Sequence, residues 1–181
     1  MDTFAHGLWA GAMARGLNKR KGARRVNVWA MTFWGVLPDL FAFTIPFVWL
    51  IVGVLSGNLE LGEFGRNQPP IAEPLGANTA WVFHLSSVLY NLGHSLVIFL
   101  LVFFAVWLFL RRPVWELGGW LIHILIDIPT HTYAFFPTPI FWPIFDWKFS
   151  GFLWATPWFL ILNYSSLLFV YALLARRRAN G

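Results

Sequence analysis

From Trp81 to Leu110 the chain runs thirty residues without a single Asp, Glu, Lys or Arg. Phe152 to Ala175 is equally free of charge, and Val26 to Leu55 carries only Asp39. About 20 apolar residues cross the hydrocarbon core of a bilayer, so each of these runs is long enough to span. The composition agrees, at 58% hydrophobic and 12% charged. Soluble domains run near 45–50% apolar with about a quarter charged, so a soluble globular domain is excluded. Leu117 to Ile128 is a shorter apolar run containing His123 and Asp127, and Val114–Glu116 extends it. Thr3 to Leu17 is a weaker fifth segment with Gly7-x-x-x-Gly11, a spacing that lets helix backbones approach closely in a membrane. Ala12-Met13-Ala14 looks like a signal-peptidase site, but no positive region precedes the apolar run, so a retained helix is expected.

The sequence therefore predicts an all-α integral membrane protein. It forms a single membrane-embedded domain over 1–181, a bundle of about five transmembrane helices near 3–17, 26–55, 81–110, 114–128 and 152–175. A four-span version, with the first helix lying in the interface, is the alternative. Basic residues set the orientation. Arg15, Lys19, Arg20, Lys21, Arg24 and Arg25 fall after the first segment, Arg111 and Arg112 after the third, and Arg176, Arg177 and Arg178 after the last. Eleven of the thirteen Lys and Arg thus lie on one side, which the positive-inside rule makes cytoplasmic: N-out, C-in. The opposite loop, Ser56 to Thr79, holds Glu60, Glu63 and Glu73 against Arg66. The net charge of +5 then reflects cytoplasmic loops, and no nucleic-acid partner is expected. Tyr133 to Trp158 contains Pro137, Pro139, Pro143 and Pro157 among Trp142, Trp147, Trp154 and Trp158. Proline at that density breaks helices and Trp favours the headgroup level, which predicts a Pro/Trp-rich outer flap over 133–151.

An ionisable group at bilayer depth is expensive and calls for a partner or a function. At 1.5 Å per helical residue, Asp39 lies roughly 21 Å past Arg25, His94 roughly 25 Å before Arg111, and His6 roughly 20 Å before Lys19. His123 and Asp127 lie roughly 17 and 22 Å past Arg112. Four helices thus bring an imidazole or carboxylate to one level, in the outer half of the bilayer. His123 and Asp127 are also i, i+4 neighbours on one helix face, and His131 continues that spacing beyond Pro129. Leu37-Pro38-Asp39 combines an expected helix break with an acid, a common way to line a polar cavity at membrane depth. With no cysteine in the chain, thiolate sites and a cysteine nucleophile are excluded, and imidazole plus carboxylate suits zinc or another divalent ion.

Plainer readings stand beside this one. His84, ten residues from His94 and off its face, reads as a helix contact. Asp39 alone suits a proton relay or a buried pair with Arg15, and His123/Asp127 suits a hydrogen-bonded couple. His131 reads equally as a ligand or an outer loop residue. Asn163, Ser165 and Ser166 read as interhelical hydrogen-bonding groups. Glu116 is expected to pair with Arg112, and Asp146 has no assignment.

His6, Leu37-Pro38-Asp39, Gly93-His94-Ser95-Leu96 and Gly119-x-x-x-His123-Ile-Leu-Ile-Asp127 followed by Trp142-Pro143 resemble the bacterial membrane-bound metal-dependent hydrolases, also described as LexA-binding, inner-membrane-associated hydrolases. The resemblance covers roughly 1–45 and 88–147. It implies a bacterial inner-membrane, multi-pass protein with a metal centre held by His6, Asp39, His94, His123 and Asp127. Two departures stand out: Phe41 replaces the second acid of the L-P-D-x-D element, and the H-R-G before T-H-S is lost, with Leu89-Tyr90-Asn91 nearby and Gly93 in place of Thr. His131 is a candidate replacement ligand. The ligand order also looks like that of zinc-dependent phospholipase C and the P1-type nucleases, which are soluble.

The expected function is an intramembrane zinc-dependent hydrolase acting on a lipid-like or phosphoester substrate through a metal-activated water. Asp39 and Asp127 serve as catalytic carboxylates and His6, Asp39, His94, His123, Asp127 and His131 as metal ligands. Its expected partners are membrane lipid and a small amphiphilic substrate; the sequence leaves oligomeric state open. Three alternatives use the same residues: a metal-ion or proton transport protein, a b-type haem protein ligated by His94 and His123, and a non-catalytic scaffold retaining a metal site.

Overall fold

The computed structural model describes residues 1–20, 24–58, 75 and 80–179, with the backbone alone for 177–179. Within these residues the fold is all-helical: α1 (Thr3–Asn18), α2 (Val28–Leu55), α3 (Trp81–His94), α4 (Leu96–Leu110), α5 (Gly118–Thr130) and α6 (Pro157–Ala179), with a 3-10 turn at Trp115–Leu117. Side chains cap the first two helices. The Asp2 carboxylate accepts from Ala5 N at 3.0 Å, and the Asn27 amide oxygen accepts from Ala30 N at 3.1 Å. Two helices, α2 and Pro157–Arg176 of α6, are long and apolar enough to cross a membrane, and a third crosses if α3 and α4 count as one span. Large side chains such as Phe109, Leu55 and Leu168 stand exposed along these helices. That is the surface a bilayer covers and water does not.

Two expectations about helix continuity are corrected. The run 81–110 is a bent pair, α3 and α4 meeting at 58°. Ser95 at the joint is extended, with φ −87° and ψ 128°. Its hydroxyl accepts from Val97 N and Ile98 N and donates to the Trp142 carbonyl at 2.5 Å, while Leu96 N donates to the Ile140 carbonyl at 3.0 Å. The flap thus satisfies the backbone groups the bend releases, as irregular backbone inside a membrane protein requires. Conversely, α2 is not broken at Leu37-Pro38-Asp39; it runs through both Pro38 and Pro46. Each proline removes one ladder hydrogen bond, and the rest of the 28-residue helix carries on. The last helix starts at Pro157 rather than 152, with proline on the helix's first turn where its missing N–H is harmless.

Helix α2 is the hub, packing against α1, α3 and α5. Small residues set the spacing. A Cβ on Gly7 would come within 2.6 Å of Val36 Cγ2, and one on Gly35 within 2.7 Å of Ala10 Cβ. At Gly119 of α5 an added Cβ would run into the Met31 carbonyl oxygen. The Gly7/Gly11 spacing therefore does bring backbones together, and Gly35 and Gly119 extend that contact to α5. Between α5 and α6 the chain is non-helical, with isolated bridges Thr132–Phe135 and Thr138–Phe149. The non-helical character expected of the flap is present; Gly151 N and Phe152 N return to the His131 and Pro129 carbonyls at 2.8 and 2.9 Å.

Candidate metal centre

The six residues singled out as ligands, His6, Asp39, His94, His123, Asp127 and His131, are all buried and meet in one place. Their positions follow from the packing just described. Gly35 and Gly119 let α2 and α5 approach, so Asp39, one turn past Gly35, faces His123 and Asp127, one and two turns past Gly119. The α3–α4 bend leaves His94 at the last position of α3, turned inward rather than along a straight helix. His6 arrives from the first turns of α1.

Four of these residues form a tight group. One ligand atom each from Asp39, His94, His123 and Asp127 lies within 4.8 Å of the others. His94 Nε2 is 3.5 Å from Asp39 Oδ1 and 3.4 Å from Asp127 Oδ2. His123 Nε2 is 3.5 Å from Asp39 Oδ1 and 3.2 Å from Asp127 Oδ2. The two Nε2 atoms face each other at 2.9 Å.

The other ring nitrogens decide what that contact means. His94 Nδ1 lies 3.0 Å from the Tyr90 carbonyl oxygen, and His123 Nδ1 lies 2.7 Å from that of Gly35. A carbonyl oxygen only accepts, so both Nδ1 atoms carry the proton. In the neutral rings both Nε2 atoms then present lone pairs, pointed at each other and at two carboxylate oxygens. Four lone-pair-bearing atoms converging in this way form a group that could hold a metal ion. An Nδ1–H held by a backbone carbonyl is also the usual way a metal-binding imidazole is oriented. The donor set fits a divalent ion of the zinc type. Asp127 Oδ2 has no hydrogen-bond partner of its own, which is the orphaned buried acceptor such an ion would satisfy.

The second Asp127 oxygen faces different company. Oδ1 lies 2.9 Å from His6 Nε2, 3.3 Å from His131 Nε2 and 2.5 Å from the α-amino nitrogen of Met1. His6 stacks on His123 with ring centroids 3.6 Å apart, and neither of its nitrogens has a geometrically sound hydrogen bond. His131 is a buried member of the cluster, not an outer loop residue; its Nδ1 meets the Phe136 carbonyl oxygen at 2.9 Å and the Tyr90 hydroxyl at 3.1 Å. His6 and His131 therefore flank the four-residue group through Asp127 and stand outside it.

The remaining polar residues fall elsewhere. His84 and Asp146 are exposed. Asp39 does not meet Arg15; its Oδ2 accepts from the Thr3 hydroxyl at 2.8 Å, while Arg15 lies over the Tyr171 ring. Glu116 turns to the Asn27 backbone N–H at 3.0 Å. Asn163 accepts from Trp9 Nε1 at 2.8 Å, the interhelical role expected of it. Phe41, where the resembled pattern has an acid, stands half-exposed on α2.

Tyr90 and Thr3 are contributors that the sequence reading did not single out. Tyr90 is fully buried; its ring stacks on His94 at 3.7 Å, its carbonyl fixes His94, and its hydroxyl meets His131. A tyrosine one helical turn before His94 was the available signal, since i, i+4 neighbours touch. Thr3 gave none, because its role depends on where α1 sits against α2. Comparison with protein-family models, with curated proteins and with solved structures finds no match for the chain.

Proposed function

We propose that this is a zinc-dependent hydrolase of the bacterial inner membrane, acting on a lipid-like or phosphoester substrate. One observation carries the metal: His94 Nε2 and His123 Nε2 face each other at 2.9 Å with both Nδ1 atoms committed to carbonyl oxygens. Asp39, His94, His123 and Asp127 would hold the ion. When bound, zinc supplies a Lewis acid that polarises the scissile group and brings the pKa of a coordinated water toward 7.

The chain's own groups prepare that chemistry. Carbonyl contacts from Tyr90 and Gly35 lock the two imidazoles, and the Thr3 hydroxyl holds Asp39 Oδ2 so that Oδ1 faces them. Asp39 and Asp127 would be the carboxylates that accept a proton from an attacking water. His6 Nε2 and His131 Nε2 lie 2.9 and 3.3 Å from the other Asp127 oxygen. The flap is tied by its backbone to 129–131, and its Phe136 carbonyl meets His131 Nδ1 at 2.9 Å. The hydrolase reading also draws on the resemblance to the membrane-bound metal-dependent hydrolases. The proposed topology of five transmembrane helices, N-out and C-in, draws on the basic residues gathered on one side.

Elemental analysis of detergent-purified protein from zinc-supplemented cells tests the centre. The expected result is about one equivalent of zinc per chain, lost in His123→Ala/Asp127→Ala. Well under one equivalent, or unchanged occupancy in the double variant, removes the metal from the proposal. Metal-dependent flux in proteoliposomes without ester or phosphoester hydrolysis replaces the enzyme with a transport protein using the same ligands.

A further inference from the structure

A cavity of about 540 Å³ opens beside the centre and shares Asp39 and His131 with it. Its size lies within the roughly 300–1,000 Å³ of small-molecule sites. α1 begins at Thr3, whose hydroxyl meets Asp39, and the face of α2 beyond Asp39 borders the cavity. Phe43, Phe47 and Leu50 lie along this face at helical spacing and line the cavity, over about 16 Å from Asp39. The flap forms the opposite wall through Phe135 and Phe136, which meet Phe43 at ring separations of 6.3 and 5.1 Å.

The cavity is therefore polar at the end where it meets Asp39 and His131, and aromatic or aliphatic along α2. Its rim includes Phe4 and Phe47, 81% and 61% exposed, in a chain whose apolar helices are built to lie in lipid. A nucleotide or a peptide would pass an apolar rim to reach the ligands, at the full cost of desolvating its polar groups. A hydrocarbon chain already in the bilayer crosses that rim with no change of environment.

We propose that this cavity is the chain-binding subsite of the centre, taking a hydrocarbon chain of a membrane amphiphile whose ester or phosphate group reaches Asp39 and His131. The assignment rests on the hydrolase reading for what happens to that group, and on the cavity alone for the chain. It narrows the substrate to a bilayer-resident amphiphile.

The test uses the full chain in phosphatidylcholine vesicles with hexadecyl phosphate carrying a mid-chain photoreactive diazirine. Crosslinked peptides are mapped by mass spectrometry, and zinc is measured on the same preparation. The expected result is labelling concentrated on residues 43–50 and 135–136, competed away by unlabelled hexadecyl phosphate. Leu50→Trp, which fills the cavity away from the ligands, is expected to lower that labelling about tenfold at unchanged zinc content. Labelling that falls equally on the lipid-facing 161–169 stretch of α6, or that unlabelled probe does not compete, overturns the subsite whatever Leu50→Trp does. Competed labelling of the cavity in protein that binds no zinc supports the subsite and withdraws the hydrolase. Zinc-loaded protein without cavity labelling leaves the hydrolase standing and removes this substrate class.

Discussion

Helices α2 and α6 are both long and apolar enough to cross a membrane, yet they use their polar residues in opposite ways. In α2, Gly35, Pro38, Asp39 and Ala42 are buried against protein. Asp39 aims at other ionisable groups. In α6 the polar residues act as hooks on α1: Asn163 accepts from Trp9, the Tyr164 hydroxyl donates to Asp2 at 2.8 Å, and the Tyr171 hydroxyl donates to the Leu8 carbonyl at 2.9 Å. Ile161, Leu168 and Phe169 remain exposed beside them. Hydropathy does not separate the two helices. The difference lies in small residues, which admit a neighbouring backbone, and in carboxylates, which the neighbour must then satisfy. Lipid tails give helices no hydrophobic reason to associate, so these residues decide where the protein closes on itself.

The sharpest break in that contrast is Asp127→Asn. The substitution preserves volume but removes the charge and one acceptor from a carboxylate whose two oxygens serve both halves of the cluster. Zinc affinity is expected to fall by more than the about 10–100-fold that loss of an outer partner costs, read by competition with a chelating dye. Asn163→Leu is expected to leave it unchanged. Retained affinity in Asp127→Asn removes the central role given to the two oxygens of Asp127.

Next in size is Gly119→Ala. Its Cβ meets the Met31 carbonyl oxygen, a backbone atom that moves only with α2. Overpacking of this kind costs about 1–3 kcal/mol. The expected outcome is a lower unfolding midpoint in detergent and reduced zinc retention, because the α2–α5 approach also sets the distance between Asp39 and His123. At Gly16, where nothing lies within 4 Å, the same change is expected to be close to silent. Equal losses at both positions break the link between close packing and the centre.

The asymmetry between α2 and α6 also explains what the sequence revealed. The uncharged runs and the matched depths of His6, Asp39, His94, His123 and Asp127 are local or one-dimensional properties, and both survive into the fold. The bend at Ser95 was not legible, because its stabilisation comes from the Ile140 and Trp142 carbonyls more than forty residues away. Pro38 misled for the converse reason: a local helix-breaking signal was outweighed by the length of α2. The division of the six cluster residues into a four-residue group and a flanking pair depends on which Asp127 oxygen each imidazole meets, and spacing does not encode that. The cavity was not legible either, because α2, the flap and the start of α1 line it together.

Tyr90→Phe sharpens the comparison inside the centre. It keeps the stack on His94 and the backbone carbonyl that accepts from His94 Nδ1, and removes only the hydroxyl facing His131. If His131 merely supports Asp127, zinc affinity is expected to fall about tenfold, at the lower limit for an outer partner. A loss as large as that of Asp127→Asn makes His131 a direct ligand and moves it into the four-residue group.

The smallest expected effect belongs to α6. Asn163→Leu removes the acceptor for Trp9 Nε1, a bond between α6 and α1 beside the exposed Ile161, Leu162 and Leu168. Interhelical hydrogen bonds in membranes average about 0.6 kcal/mol when measured by double-mutant cycles. The leucine also restores apolar surface suited to lipid, so the net change in unfolding midpoint is expected to be small. Zinc content is expected to be unchanged, because the bond joins Trp9 to Asn163 and touches none of the six residues of the cluster. A Trp9→Phe/Asn163→Leu cycle isolates the pair: a coupling near 0.6 kcal/mol makes α6 a hooked-on outer helix. Loss of zinc in either single variant would mean that the position of α1, and with it His6 and Thr3, is set from α6. The centre would then depend on a helix whose surface is largely exposed and apolar.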